Sequence, residues 1–145
     1  MTEVERRRWD DVAPGTPHIW HTLGYRTVEA EQDYAMEWDA SSEYTFPAPS
    51  GPIVHGGMVA TILDTAMGGA CWLTLKAGET FLTADLRVEF LRAARPGTLR
   101  AEAKVVHRTR RVAFCSADLF DAAGTVVASA RCTQMIRVER SAGHV

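Results

Sequence analysis

The chain has 145 residues, is 46% hydrophobic and 23% charged, and carries a net charge of -2. A chain of this length fits one domain that buries roughly 68–70% of its unfolded surface, and its near-neutral balance gives no electrostatic case for nucleic acid or an anionic membrane. Cys71, Cys115 and Cys132 are odd in number and far apart, with no C-x-x-C pair, which argues against a disulfide framework or a zinc site and reads as small buried hydrophobes in a reducing cytoplasm.

The first residues, with Glu3, Glu5, Arg6, Arg7, Arg8, Asp10 and Asp11, are dense in charge and lead into no apolar stretch. That pattern predicts a short charged helix over 3–12 and not a signal peptide. The sequence PGTP at 14–17 breaks it, and His18 to Leu23 follows as one or two helical turns ended by Gly24. Tyr25 to Ala40 is expected as one extended strand, with Tyr34, Met36 and Trp38 on one face and Ala35, Glu37 and Asp39 on the other. The run SSEYTFPAPSGP reads as a loop by its serine, proline and glycine content.

Pro52 to Leu75 is the longest weakly charged apolar run and predicts the central helix. Val59, Ile62, Leu63, Ala66, Ala70 and Leu73 recur at spacings of three and four, the mark of one buried stripe. Asp64 and the glycine pairs interrupt the run, so it fails the test of about 18 consecutive apolar residues for a membrane span. Gly56 and Gly57 open the helix, where the first amide N–H groups have no intrahelical acceptor. Gly68 and Gly69 cost roughly 1 kcal/mol each against alanine, an expense that close approach of another element would offset.

Downstream, Phe81 to Leu91 alternates Leu82, Ala84, Leu86, Val88 and Phe90 with Thr83, Asp85, Arg87 and Glu89, a period of two. Thr83 then shares a face with Asp85, directed away from the apolar side. Pro96-Gly97 turns the chain into a strand over 98–109. A strand over 112–121 and the Ala122-Ala123-Gly124 turn into a strand over 125–138 complete a four-strand meander. One strand, one long helix and then a meander define an α+β domain with the helix lying on an antiparallel sheet.

Asp64 is the residue with chemical content. A carboxylate among Ile62, Leu63, Ala66 and Met67 has no lysine or arginine nearby in sequence, and a buried unpaired charge costs several kcal/mol. The competing reading is an exposed polar edge shared with Thr61 and Thr65. A base or nucleophile at Asp64 and an oxyanion held by the helix-start amides would make an acyl-transfer site. Gly56 and Asp64 are, however, about 12 Å apart along the helix, and both must stand about 3 Å from the reacting atoms. Two copies with antiparallel helices could bring one chain's Gly56 to the other's Asp64, so the chemistry argues for a two-fold dimer with composite sites.

His55-Gly56-Gly57 with Asp64, the stretch Thr83 to Leu91 (TADLRVEFL) and Asp121-Ala122-Ala123-Gly124 together resemble the PaaI-like branch of the hotdog-fold acyl-CoA thioesterases, over about Leu23 to Ile136. The resemblance implies a sheet wrapped around a central helix, dimers and often tetramers, and cofactor-free hydrolysis of acyl-CoA; no metal is expected, because no His and Cys cluster has ligand spacing. It divides the chain into a lead-in over 1–22, a single hotdog domain over 23–138 and a tail over 139–145. It also implies Asp64 as catalytic carboxylate, Gly56 as oxyanion amide, His55 as support for the loop and the thioester carbonyl, and Thr83 as a hydroxyl orienting water, with Gly57 and Ser50 touching substrate. Relatives often carry Asn or Gln about six residues before the histidine, where this chain has Pro49 beside Ser50. Two other functions fit the same fold: a hydratase or dehydratase pairing His55 with Asp64, and a non-catalytic acyl-CoA-binding module. Arg108, Arg110 and Arg111 are possible phosphate contacts or an exposed strand end. Trp20, Tyr44, Phe46 and Trp72 are possible pocket walls or core.

Overall fold

The computed structural model describes residues 17–139. The charged helix expected over 3–12 and most of the tail after 138 lie outside the described residues. Helix α1 (His18–Leu23) ends at Gly24, whose φ of 80° is left-handed, and buries Trp20. The single strand expected over 25–40 is instead two, β1 (Arg26–Val28) and β2 (Tyr34–Ala40), paired antiparallel. The polar stretch Glu29 to Asp33 forms the turn, where the Gln32 N–H donates to Glu102 Oε1 and Asp33 Oδ2 accepts from the Val105 N–H. The two faces of β2 are as expected: Tyr34, Met36 and Trp38 are fully buried and Asp39 is exposed, although Ala35 is buried as well.

The loop expected over 41–52 holds a 3-10 turn (Ser42–Tyr44) and β3 (Thr45–Phe46), which pairs with β4 (Ile53–Val54). Helix α2 starts at Gly56, where the glycine pair was expected to open it, and runs to Trp72. Val59, Ile62, Leu63, Ala66 and Ala70 are all buried along it. Then come β5 (Glu79–Phe90), β6 (Gly97–Arg108), β7 (Val112–Phe120) and β8 (Val126–Val138).

These strands build one six-stranded sheet in the order β1-β2-β6-β7-β8-β5, with every pairing antiparallel. The four-strand meander expected downstream is thus only β6-β7-β8, because β5 crosses to the far edge and pairs with β8. The β7–β8 turn is held by Asp121, whose Oδ1 accepts from the Ala123 and Thr125 N–H groups. The sheet curls over α2, and the inward residues of β2, β6, β7 and β8 form one core with the helix. The three cysteines are buried free thiols, as expected. No helix among the described residues is long and apolar enough to cross a membrane.

Gly68 and Gly69 are explained by close approach of two strands. A Cβ on Gly69 would overlap the ring of Tyr34 on β2, and one on Gly68 would stand 3.2 Å from Phe81 on β5. Tyr34 cannot retreat easily, since it is 1% exposed and its hydroxyl shares a 2.6 Å hydrogen bond with Thr27.

Candidate active site

Helix α2 begins on a cap made by its own sequence. His55 is the N-cap residue, and its Nδ1 accepts the Gly57 N–H at 2.9 Å. A Cβ on Gly57 would stand 3.0 Å from the imidazole, so glycine is what lets the ring fold back this closely. An accepting Nδ1 leaves the ring proton of the neutral imidazole on Nε2. Gly57, expected to touch substrate, therefore has its N–H engaged within the cap. The Gly56 N–H has no acceptor among the described residues, and Gly56 lines a cavity of about 450 Å³ beside it. Phe46, Ile53, Val54, Val59 and Phe90 give that cavity apolar walls. Of the four aromatic residues considered as pocket walls, Phe46 takes that role, while Trp20 and Trp72 are buried and Tyr44 packs edge-on to Trp38.

The loop before the cap is fastened by a residue the sequence did not single out. Arg95 donates to the carbonyls of Gly51 and Pro52 and to Ser50 Oγ. Ser50 is thus exposed and partnered by a guanidinium. Arginine is suited to this because its planar fork satisfies several acceptors at once.

Two turns along the helix, Asp64 is half-buried. It is neither the bare buried charge nor the freely solvated edge that the sequence offered: Thr83 Oγ1 stands 2.9 Å from its Oδ1. Among the described residues no lysine or arginine pairs with it. Thr61 and Thr65 lie on the same edge and turn their hydroxyls to the carbonyls of Gly57 and Thr61.

Thr83 reaches Asp64 because β5 does not keep the period its sequence suggests. Thr83 pairs with Gln134 and Asp85 with Thr133, so Ala84 is an extra residue, a β-bulge. An extra residue reverses the face of every side chain beyond it. Phe81 and Thr83 meet the helix before the bulge, Val88 and Phe90 meet it after, and Leu82 is turned outward at 62% exposure. The expectation that Thr83 shares a face with Asp85, away from the helix, is overturned for this reason. Asp85 holds the bulge by accepting the Thr133 N–H on its Oδ1.

Arg108 is occupied by Glu79 at 2.8 Å and by Thr74, which fastens the helix C-terminus to the sheet and removes it as a phosphate contact. The Lys76 N–H and Arg108 hold the Glu79 carboxyl below its usual range. Arg110 and Arg111 are exposed at the β6–β7 turn. Burial pushes the Cys71 thiol up to about 11, and hydrogen bonding to Cys132 with burial pushes Cys115 up, so neither is a ready nucleophile. Among the described residues no three His, Cys, Asp or Glu side chains gather as a metal site requires. A second residue missed by sequence reasoning, after Arg95, is Gln134, fully buried beside Thr83. A polar residue within an inward-facing series of Ala130, Cys132 and Ile136 was the available signal.

A six-stranded antiparallel sheet wrapped around one long helix, with a glycine-rich cap at the helix start and a carboxylate two turns on, is the architecture of the hotdog fold. The Thioesterase superfamily model matches residues 51–133, and the chain belongs to that superfamily. The medium/long-chain acyl-CoA thioesterase YigI of Escherichia coli (strain K12) is 32% identical over 97 residues, 58% of this chain and 63% of the relative. The matched part of the chain thus spans less than two thirds of that relative's length. A thioesterase-superfamily protein solved by X-ray crystallography superposes with a TM-score of 0.77 at 32% identity, covering 93% of this chain and all of the other. A phenylacetic acid degradation-related protein from Ralstonia eutropha JMP134 gives a TM-score of 0.76 at 28% identity, covering 92% of this chain and 99% of the other.

Proposed function

We propose that this chain is an acyl-CoA thioesterase whose active sites are shared between the two subunits of a homodimer. The observation that carries the reading is the separation of a free oxyanion donor, the Gly56 N–H beside an apolar cavity, from a hydrogen-bonded carboxylate, Asp64, on one helix. Eight residues of helix place them about 12 Å apart, so a second copy must bring its own helix start to the first copy's carboxylate. The sheet offers an edge for that partner. Strand β5 is terminal in the sheet, and Leu82, Leu86, Phe90 and Leu91 on and after it are exposed. Exposed apolar side chains on an unpaired edge strand are what a pairing surface presents.

In this arrangement the acyl chain enters the apolar cavity and the thioester carbonyl points its oxygen at the Gly56 amide of the partner subunit. Asp64 takes a proton from water, the water oxygen bonds to the carbonyl carbon, and the oxyanion forms against the amide dipole. Collapse breaks the carbon–sulfur bond, and the proton on Asp64 passes to the departing thiolate, giving CoA and free acid. Direct attack by Asp64 to give a mixed anhydride uses the same groups. Thr83 holds the carboxylate in place, and His55 holds the helix start. The acceptor role of His55 Nδ1 in the cap weighs against the histidine–carboxylate pairing that a hydratase would need. No step calls for a metal, so turnover is expected to survive a chelator; loss of activity restored by added metal would contradict the scheme.

The test of function is thiol release from a panel of acyl-CoAs, where turnover of at least one chain-length class is expected and release from none would leave a binding module. The cavity gives a sharper expectation. Val59→Phe, projecting a ring into the 450 Å³ space, should lower kcat/KM for the longest accepted chain by roughly 10- to 200-fold while sparing acetyl-CoA. Equal loss on both substrates would place the acyl chain elsewhere.

A further inference from the structure

Gln134 lies on β8 opposite Thr83, with 0% of its surface exposed. A buried amide is costly unless both its donor and its acceptor are paired. Its Oε1 stands 3.0 Å from Thr83 Oγ1, and its Nε2 stands 3.3 Å from Cys132 Sγ. Thr83 Oγ1 is in turn 2.9 Å from Asp64 Oδ1. A threonine hydroxyl has a single proton, so it can donate to Asp64 or to Gln134 but not to both.

The consequence depends on Asp64. An ionised carboxylate only accepts, so the Thr83 proton must go to it. The hydroxyl oxygen then presents a lone pair to Gln134, and an amide oxygen there would face another acceptor. Turning the amide by half a rotation places Nε2–H toward Thr83 and Oε1 toward Cys132, whose S–H can donate. When Asp64 is protonated the chain reverses: its O–H donates to Thr83, the Thr83 hydroxyl donates to Gln134 Oε1, and Nε2–H points at the Cys132 sulfur. Each protonation state has one fully satisfied chain, and the two run in opposite directions.

We propose that Gln134 is a positioning residue whose amide turns with the protonation of Asp64, presenting Thr83 as a donor to the ionised carboxylate and as an acceptor from the protonated one. This rests on Asp64 acting as the base. The residue touches no substrate; it acts through Thr83. The other titratable groups near Asp64 are Cys132 on β8, Cys115 hydrogen-bonded to it from β7, and Asp85 on β5, whose carboxylate is turned to the Thr133 N–H. On its own helix, Cys71 lies near Cys132, and His55 is more than two turns away.

The chain contains two glutamines, Gln32 and Gln134, and no asparagine, so the side-chain amide region of a ¹⁵N–¹H spectrum of the full chain holds two NH₂ pairs. Gln134→Met identifies the buried pair by its loss. The Gln134 pair is expected to shift with pH along a single titration curve that disappears in Asp64→Asn. A flat Gln134 pair, or a titration that persists in Asp64→Asn, overturns the proposal, and neither result depends on turnover. In Gln134→Met kcat/KM should fall, by less than in Asp64→Asn, because Thr83 keeps its contact with Asp64 but loses the partner that orients it. A lowered melting temperature in Gln134→Met with unchanged kcat/KM would assign Gln134 to packing and overturn the proposal. Full turnover in Asp64→Asn would instead remove the base itself, a failure distinct from that of the glutamine.

Discussion

Replacing Asp64 by asparagine is expected to lower kcat for acyl-CoA hydrolysis by roughly 10² to 10⁴, the range a positioned general base contributes, while the protein stays folded. The structure explains why stability and activity should separate here. Asp64 is half-buried and accepts from Thr83, and the Oδ1 of asparagine can accept the same hydroxyl at the same place. What asparagine lacks is the charge and the basic oxygen. KM should change little, because the carboxylate acts on water and not on the bound acyl chain. Thiol release and a thermal melt on the same preparations decide the matter: unchanged kcat with a lowered melting temperature would make Asp64 a structural anchor.

The second large effect is on stability and lies at the other face of the helix. Gly69→Ala places a methyl group into the ring of Tyr34, which is walled into the core and tied to Thr27. Alanine ordinarily gains helix propensity over glycine by up to about 1 kcal/mol, but overpacking a rigid core costs about 1–3 kcal/mol or more, and with no room to yield the clash wins. A net loss of about 2 kcal/mol should lower the melting temperature by roughly 4–8 °C for a domain of this size. Tyr34→Phe combined with Gly69→Ala should recover little, since the ring remains; Tyr34→Leu with Gly69→Ala should recover part of the loss. A melting temperature at or above that of the parent chain for Gly69→Ala alone would show that β2 can move away.

These two residues also mark what the sequence could and could not disclose. The helix, its buried stripe, the glycine-rich start and Asp64 were legible because each is local: a period near 3.6, missing acceptors at a helix start, a carboxylate among apolar neighbours. The need for small residues at Gly68 and Gly69 was legible as well, though not the strands that impose it. The place of β5 was not legible, since a strand read next to β6 in sequence crosses to pair with β8, and pairing order is not a local property. The bulge at Ala84 was hidden for a related reason. A clean alternation of Leu82, Ala84, Leu86, Val88 and Phe90 reads as one face, yet the register against β8 inserts a residue and turns Thr83 to the helix. Gln134 escaped notice because its importance comes from a partner 51 residues away. The turn from Glu29 to Asp33 was missed because what fixes it is distant in sequence: the Gln32 N–H donates to Glu102, and Asp33 accepts the Val105 N–H, both on β6.

The central claim is that one subunit's carboxylate works with the other's helix start, and mixed dimers test it most directly. Gly56→Pro removes the amide donor, and its Cβ would stand 3.3 Å from the ring of Phe90, an exposed side chain with room to shift. Proline suits the first position of a helix, and His55 before it already has φ -55° and ψ 133°, the conformation a residue before proline prefers. Each homodimer, Gly56→Pro or Asp64→Asn, should have lost roughly 10² or more in kcat. When the two variants are unfolded together and reassembled at equal amounts, half of the dimers are mixed, and each mixed dimer holds one site with both native groups. Roughly a quarter of the parent activity should therefore return on reassembly, measured against parent protein taken through the same cycle. Activity that stays at the level of the separate variants, while the parent regains its own, would contradict a site shared between subunits.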